Sequence, residues 1–475
     1  MTAPTTTSTS PATDVWLADL RVHPDLELFT PDDAGYDTWR TTWNLAVEHH
    51  PVAVAVPTST GGVVAVVEAA RRHGVSLAIQ SAGHGPARAA CDAILLNLAR
   101  LADVRVDPER RTARIAGGAK WQAVLDVVTP HGLAPLLGST PDVSAVGYTL
   151  GGGLGWLARK YGTSADSVLA FELVTAEGEL LRVTPDENAE LFWALRGAGA
   201  GHLGVVTAME IRLYPVAEVY GGSLYYPATM AHEVMQRWRD WIPTVPEDLT
   251  SAVTLVNFPD LEDVPEELRG AAYVLVRGAF KGPTEDGERL LAHWREWRQP
   301  DVDEWGPLPF DRIAEISQDP LEPVPYEGTG LWLGSLGDDT IDALVSGTFP
   351  PDRPPLLVQT ELRHAGGALA RGTSQPAAFG NRDAAILLEL VGVTETASDV
   401  AAVRSLIHDL TARIAPDLTG GHYLNYVEGG DRRHGVARGT VPGAYERLAA
   451  LKALLDPDDL FNHGLDVTGH PSRED

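Results

Sequence analysis

The chain has 475 residues, of which 44% are hydrophobic and 21% charged, as in ordinary globular proteins. At roughly 150 residues per domain, this length predicts two or three domains, which could bury a large cofactor between them. The 65 acidic and 37 basic residues give a net charge of −28, which repels polyphosphates and anionic lipid surfaces. Composition therefore argues against nucleic-acid and membrane-surface partners, and it does not indicate an oligomeric state.

The first 30 residues predict a disordered leader. The segment MTAPTTTSTSPATDVW has no basic residue and no apolar core, so it does not fit a secretory signal. No apolar run of the sequence reaches the roughly 18 residues of a membrane span, and we expect a cytoplasmic protein. The single cysteine, Cys91, excludes an internal disulfide and a zinc site of several thiolates, and we interpret it as a buried, inert thiol. The sequence predicts no metal site.

The segment from Pro51 to Gln80 predicts a strand, a helix and a second strand. VAVAV is an apolar strand, VVAVVEAARRHG is an amphipathic helix that ends at Gly74, and VSLAIQ is the next strand. Such a unit delivers the residues after Gln80 to the carboxyl edge of a sheet, where ligands of α/β folds bind. These residues are SAGHG. A strand in AILLNL, a hairpin in VRVDPERRTARIAGG and a helix ending at Gly132 come next.

Glycine is concentrated in three segments of the first half: SAGHG, the stretch Gly138–Gly162, and GAGAGHLGVVT. Glycines let backbone amides approach an anionic ligand closely, so the three together predict a cage, although each alone could be a tight turn. The formal dinucleotide fingerprint Gly199-x-Gly201-x-x-Gly204 follows a predicted helix and opens a strand. A Rossmann motif needs the reverse order, which argues against a nicotinamide dehydrogenase.

After Pro215 the sequence changes to separate strands such as SAVTLVNF, AAYVLVRGAF and AAILLELVGV, with long amphipathic helices between them. Strands without a regular alternation with helices predict a mostly antiparallel sheet covered on one face by helices. From Gly421 the chain becomes glycine-rich again in GGHYLNYVEGG and ends with a helix, YERLAALKALLDP.

Four ordered motifs resemble those of a known family. They are AIQSAGHGPARAACDAILLNLARL, LGGGLGWLARKYGTSADSV, ELFWALRGAGAGHLGVVTAMEIRLYP, and YLNY followed by YERLAALKALLDPDDLF. The resemblance is to the FAD-linked oxidases of the vanillyl-alcohol oxidase superfamily, in the berberine-bridge-enzyme-like branch that includes bacterial hydroxynicotine oxidases. It implies an α+β fold with a PCMH-type FAD-binding domain in two parts, 31–215 and 421–475. The antiparallel substrate domain then occupies 216–420.

In this family a histidine is bonded to the methyl group of the flavin ring, and the match places His84 on that position. An isolated loop histidine would more often only form hydrogen bonds. Many members carry a second flavin bond from a cysteine before a proline, but here Thr140 precedes Pro141, which implies a single bond. The resemblance places FAD against Ser81, Ala82, Gly83, His84, Gly85, Thr140, Pro141, Gly147, Tyr148, Gly151, Gly152, Gly153, Gly155, Gly204, Val205, Val206, Tyr423 and Asn425. For Tyr148, ordinary packing under the cofactor is the alternative.

Hydride transfer to flavin leaves a substrate proton that a base must remove. The resemblance makes Tyr426 the candidate base, and because a tyrosine with a pKa near 10 is a weak base, we expect a partner, Glu361 or Glu389. Glu361 and Arg363 lie two positions apart in a predicted strand and so share one of its faces. This face could turn towards the flavin, or it could equally be exposed to solvent. The implied function is an oxidase of a small alcohol, amine or sugar that reduces dioxygen to hydrogen peroxide. A flavin dehydrogenase, a monooxygenase and a non-catalytic flavin-binding module are the alternatives.

Overall fold

The computed structural model describes residues 17–262 and 264–468 of the chain. Within this part, 18 strands form three sheets. Most of the predicted leader, residues 1–16, lies outside the described residues. The leader prediction is wrong for Leu26–Phe29, which form strand β1, because Leu26 and Leu28 alternate into the core and the strand pairs with β2 (Ala53–Pro57).

The first sheet has four strands in the order β1-β2-β4-β3. The predicted strand, helix and strand are confirmed as β2, α2 (Thr60–His73) and β3 (Leu77–Gln80), but β4 (Ile94–Asn97) lies between the two strands and is parallel to both. Helix α2 begins after Ser59, whose hydroxyl accepts a hydrogen bond from a backbone N–H, and ends at a left-handed glycine. The segment after β3 therefore starts at the carboxyl edge of this sheet.

The second sheet is antiparallel, with five strands in the order β5-β6-β9-β7-β8. The predicted hairpin is present as β5–β6, and β7 and β8 form a second hairpin. The strands are β5 (Val104–Asp107), β6 (Thr112–Ala116), β7 (Val168–Val174), β8 (Leu180–Val183) and β9 (Val205–Arg212). The glycine fingerprint follows a helix, α6 (Ala189–Ala198), and precedes strand β9. This order is the one that the sequence predicts, and it is the reverse of the order in a Rossmann motif.

The third sheet is antiparallel and has nine strands, in the order β13-β10-β12-β11-β16-β17-β15-β18, with β14 also paired to β10. The strands are β10 (Glu218–Pro227), β11 (Leu249–Asn257), β12 (Ala272–Phe280), β13 (Val302–Asp303), β14 (Gly306–Pro309), β15 (Tyr326–Leu333), β16 (Gln359–His364), β17 (Ile386–Val393) and β18 (Leu418–His422). The ends of this sheet fall close to the predicted boundaries of the substrate domain, and the division into domains stays a prediction.

Helices cover one face of the third sheet. Its apolar residues, such as Val253, Leu362 and Leu388, pack against Trp238, Ile341 and Val403 of the helices α7 (Ala231–Trp241), α9 (Asp338–Thr348) and α11 (Ala397–Arg413). The opposite face turns towards the first two sheets. The fold is therefore α+β, with an antiparallel sheet covered on one face by helices, as the sequence predicts.

The remaining helices connect these layers. They are α1 (Tyr36–Arg40), α3 (Trp121–Val128), α4 (Ala145–Leu150), α5 (Ala158–Tyr161), α8 (Thr284–Arg295), α10 (Ala368–Arg371), α12 (Gly429–His434), α13 (Val436–Gly439) and α14 (Ala444–Leu455). The prediction of a buried thiol is wrong, because Cys91 lies in a short β-bridge with His50 at the surface and is exposed. Across the described residues, we find no helix long and apolar enough to cross a membrane. The cytoplasmic location stays a prediction.

Candidate cofactor and active site

A cavity of about 410 Å³ lies where the three sheets meet, within the usual size range of small-molecule sites. The segment after β3, the second glycine-rich stretch and the loop before β9 form its walls, and the third sheet and the segment after β18 close it. Segments far apart in sequence thus line one space. Of the predicted cofactor-binding residues, those that line the cavity are Ser81, Ala82, Gly83, His84, Gly85, Thr140, Gly147, Tyr148, Gly204, Val206 and Asn425.

His84 is a buried imidazole with unused hydrogen-bonding atoms. Neither ring nitrogen has a hydrogen-bond partner among the described residues, and the ring stacks on Trp43 with centroids 4.4 Å apart and planes 14° from parallel. The nearest charge is Asp142, whose Oδ2 lies 4.0 Å from Nε2. Burial lowers the pKa of His84 to about 4, so the ring is neutral near pH 7. A neutral imidazole with a free nitrogen is nucleophilic.

The backbone around His84 is fixed from several sides. Gly83 has φ +78°, and a Cβ there would lie 2.8 Å from the backbone nitrogen of Trp43, so this position requires glycine. The hydroxyl of Thr42 donates to the carbonyl oxygen of Gly83. The hydroxyl of Tyr326 lies 2.9 Å from the carbonyl oxygen of His84 and 2.9 Å from Oε1 of Glu428. The segment that bears His84 is therefore rigid.

The second glycine-rich stretch contributes only part of its residues to the cavity. Tyr148 lines it with a buried hydroxyl that has no partner within the described chain, and burial raises its pKa well above the usual value. Four glycines, by contrast, lie where other groups approach too closely for a side chain. A Cβ would meet Asn425 at Gly151, Phe379 at Gly152, Tyr148 at Gly153 and the carbonyl of Leu137 at Gly155. These glycines allow close packing around the cavity and do not line it.

Three more predicted residues lie beside the cavity rather than on its wall. Val205 points into the core between the first two sheets, while its neighbour Val206 lines the cavity, as alternation along β9 requires. The carbonyl of Pro141 accepts a hydrogen bond from the N–H of Gln122. The hydroxyl of Tyr423 accepts hydrogen bonds from the N–H of Leu154 at 2.8 Å and from Nδ2 of Asn425 at 3.2 Å.

The register of the third sheet assembles a charged cluster on the face that turns to the cavity. Glu361 pairs with Glu389 across β16 and β17, and Arg277 and Arg363 both pair with Ala252 of the strand between them. Oε2 of Glu361 accepts from Nε of Arg277 at 3.0 Å, and its Oε1 accepts from Nε of Arg363 at 2.8 Å. Burial alone would raise the pKa of Glu361, but the two arginines lower it to about 2. Glu361 is thus a buried counter-ion that does not line the cavity.

Glu389 has the opposite environment. It lines the cavity, and its hydrogen bond with Nε2 of Gln359 is long, at 3.5 Å. Burial raises the pKa of Glu389 to about 8, and the charge of Glu361 adds to the effect. A carboxyl group that titrates near neutral pH in a cavity is suited to proton transfer.

Tyr426 also lines the cavity, with its ring edge-on to Tyr423 at a centroid distance of 4.8 Å. Space for it comes from Gly330 of β15, where a Cβ would lie 2.6 Å from the Cβ of Tyr426. Burial raises the pKa of Tyr426 well above its usual value, against the opposing charge of Arg363. The structure therefore brings together Tyr426 and Glu389, but a tyrosine with a raised pKa is not an ionised base by itself.

Sequence reasoning missed several cavity residues: Trp43, Arg277, Tyr326, Glu428, Arg432 and His463. None of them was assigned a role by a matched motif. Glu428 follows YLNY by two positions, and this proximity is the one signal that could have indicated it. Burial raises the pKa of Glu428 to about 7. In the described residues, no cluster of histidine, cysteine, aspartate and glutamate could hold a metal ion.

Comparison with known proteins agrees with this geometry. Residues 51–184 match the model of a family described as an FAD binding domain. The chain is 27% identical to (R)-6-hydroxynicotine oxidase of Paenarthrobacter nicotinovorans over 464 residues, which is 93% of this chain and 96% of the relative. The chain is therefore similar over nearly its whole length to FAD-linked oxidoreductases, and it contains an FAD binding domain.

Solved structures of similar proteins share the fold of this FAD-linked oxidoreductase. BBE-like 1 of Physcomitrella patens superimposes with a TM-score of 0.80 at 19% identity, over 96% of this chain and 99% of that one. Glucooligosaccharide oxidase of Acremonium strictum gives a TM-score of 0.80 at 23% identity, over 96% of this chain and 98% of that one. The match to the FAD binding domain and the full-length relatives named as oxidases show that the protein is an enzyme with FAD as its cofactor.

Proposed function

We propose that this enzyme is an oxidase that transfers hydride from a small alcohol, amine or sugar to FAD held covalently by His84, with dioxygen as the final electron acceptor. The observation that carries the proposal is the buried, neutral imidazole of His84 with both nitrogens free in a cavity walled by the FAD-binding segments. Relatives named as oxidases of hydroxynicotine and of glucooligosaccharide support the reaction type.

The residues that line the cavity suit a large flavin cofactor. Glycines and small residues leave backbone N–H groups accessible at three places, and the unpartnered nitrogens of His84 need a bonding partner. The glucooligosaccharide oxidase structure is described with both a histidyl and a cysteinyl bond to FAD. Thr140 has no thiol, and Cys91 lies at the surface, so one bond through His84 is the proposal here. When bound, FAD accepts the hydride and passes the electrons on.

Tyr426 and Glu389 would handle the proton. Because its pKa is raised, Tyr426 cannot be an ionised base near neutral pH, but its hydroxyl can take the substrate proton while giving up its own. Glu389 is the acceptor, since its pKa of about 8 allows it to receive a proton and release it to solvent. The role of Glu361 is then indirect: it forms an ion pair with each of Arg277 and Arg363 and holds them in place.

The first test is whether flavin stays with the protein after acid precipitation. The wild type should give a yellow pellet and one flavinyl peptide that contains His84, whereas His84→Ala should release its flavin to the supernatant. His131→Ala, which changes an exposed histidine at the end of a 3₁₀ turn, is the matched control and should keep the flavin. Flavin found entirely in the wild-type supernatant would refute the covalent bond.

The second test concerns the electron acceptor. A panel of alcohols, amines and oligosaccharides should contain a compound that bleaches the flavin without oxygen, and air should then restore the colour with one hydrogen peroxide per substrate. Reduction without peroxide would favour a dehydrogenase, and oxygen incorporated into the product would favour a monooxygenase. No bleaching by any compound would favour a non-catalytic module.

A further inference from the structure

A carboxylate stands next to His84 in the loop that carries Thr140. Oδ2 of Asp142 lies 4.0 Å from Nε2 of His84, and its other oxygen, Oδ1, forms an ion pair with Nζ of Lys120 at 2.5 Å. Side chains of both His84 and Asp142 are four-fifths buried, with exposed fractions of 18% and 20%. A charge pair this close to an unpartnered imidazole influences which ring nitrogen carries the proton.

Backbone hydrogen bonds fix the position of this carboxylate. The segments around Lys120 and Asp142 run side by side, with the N–H of Trp121 donating to the carbonyl of Val143 at 3.0 Å and the N–H of Gln122 donating to the carbonyl of Pro141 at 2.9 Å. Oγ1 of Thr140 also accepts the N–H of Asp142 at 3.3 Å. Asp142 is thus a fixed neighbour of His84 rather than a mobile surface group.

We propose that Asp142, anchored by Lys120, is a positioning residue for covalent flavin attachment: its charge favours the tautomer of His84 with the proton on Nε2, and it accepts that proton as Nδ1 bonds to the flavin. This inference rests on the proposed covalent attachment. The attachment joins Nδ1 to the methyl carbon of the flavin ring and releases one proton from the methyl group and one from the imidazole. The two electrons left on the ring pass to dioxygen, which takes up two protons and leaves as hydrogen peroxide.

The test measures the rate of attachment, not turnover. Full-length protein produced under riboflavin limitation is mixed with FAD in air, and acid-precipitable flavin and the mass of the protein are followed with time. We expect Asp142→Asn to attach flavin at least about tenfold more slowly than the wild type, as for loss of a proton acceptor. Non-covalent FAD binding, measured by fluorescence quenching, should change by less than about threefold. Asp142→Glu, which keeps the carboxylate, should attach faster than Asp142→Asn.

Two further variants keep the result interpretable. Asp126→Asn removes the same charge from α3 without touching His84 and should attach at the wild-type rate. Lys120→Met removes the ion pair that anchors the carboxylate of Asp142 and should slow flavin attachment. If Asp142→Asn fails to bind FAD, the attachment rate of Lys120→Met tests the role of Asp142 instead. Wild-type rates in Asp142→Asn, or in Lys120→Met, would overturn the proposal for Asp142. A wild type without covalent flavin would instead overturn the attachment at His84.

Discussion

The carboxyl groups at and beside the cavity are of two kinds: some titrate near neutral pH and others do not. Glu361 and Glu389 are the same residue type on adjacent strands, yet the pKa of one falls to about 2 and that of the other rises to about 8. The difference arises because Arg277 and Arg363 both contact Glu361, whereas Glu389 faces the cavity. Pairs of carboxyl groups whose environments separate their pKa values commonly mark acid and base roles.

We expect Tyr426→Phe to slow anaerobic flavin reduction by roughly the hundredfold that loss of general-base catalysis causes. The ring is kept, so its contact with Tyr423 and the flavin bond should persist. Stopped-flow measurement of flavin bleaching gives the rate, and substrate binding should change less than the rate. Tyr273→Phe, which changes a tyrosine that packs against Phe258 away from the cavity, is the control. An unchanged rate in Tyr426→Phe would make Glu389 the direct base.

The titration of Glu389 should appear in the pH dependence of flavin reduction. Its folded-state pKa of about 8 means that the proton-accepting, ionised form increases as pH rises through 8, and the rate should rise with it. Glu389→Gln cannot ionise, so this rise should disappear and the rate should be low at all pH values. Glu315→Gln, at an exposed site paired with Arg312, should leave the profile unchanged. The same rise in Glu389→Gln would assign it to another group.

At the scale of elements, the glycine-rich stretch acts mainly by letting segments approach. Gly155 lies against the backbone of Leu137, and Gly151 lies against Asn425, which in turn donates to the carbonyl of Tyr148 at 2.9 Å. The stretch therefore connects the segment after β18 with the FAD-binding segments. This connection positions Tyr426 relative to the cofactor cavity.

Gly155→Ala should reduce the free energy of unfolding by about 1–3 kcal/mol, the usual cost of forcing extra atoms into a packed region. The colliding group is a backbone carbonyl, which cannot rotate away as a side chain would. Urea denaturation followed by tryptophan fluorescence measures the effect. Gly306→Ala is the matched control, because nothing lies within 4 Å of its added Cβ. Equal stability of the two variants would show that the stretch is loosely packed.

For the whole molecule, buried histidines and buried carboxyl groups change the stability of the fold in opposite directions as the pH changes. Burial lowers the pKa of five histidines to about 3 or 4: His49, His84, His202, His364 and His463. Their unfolded forms take up protons below a pH of about 6.5, so the stability that they contribute is lost as pH falls. Glu389 and Glu428 have raised pKa values of about 8 and 7, so the stability from their protonated forms is lost as pH rises.

The melting temperature should therefore be highest near neutral pH. Below a pH of about 6.5, the five histidines outweigh the two glutamates, and stability should fall with decreasing pH. Above neutral pH only the glutamates titrate, and stability should fall more gently up to a pH of about 8. Differential scanning calorimetry from pH 5 to pH 9 measures this. Glu389→Gln should flatten the decline above neutral pH. A melting temperature that keeps rising towards pH 9 would contradict the argument.

The sequence by itself predicted the α+β character and a cage of glycine-rich segments, because glycine spacing, helix caps and the alternation of apolar residues all act within a few residues of the chain. The assignment of FAD to these segments and the role of His84 came from the resemblance to a known family. The sequence also predicted that Glu361 and Arg363 share a face, because that follows from the geometry of one strand. The strand β1 was missed, since its pairing partner lies outside its own segment.

Only the tertiary structure decided what each candidate side chain contacts. Strand register brought Arg277 to Glu361 over a separation of 84 residues and left Glu389 facing the cavity, so two equivalent candidates received opposite pKa values. The same holds for the stacking of Trp43 on His84 and for the glycines that serve packing rather than the cofactor. Such contacts are not encoded in any local pattern, because the electrostatic environment and burial of a side chain depend on segments that meet only when the chain has folded.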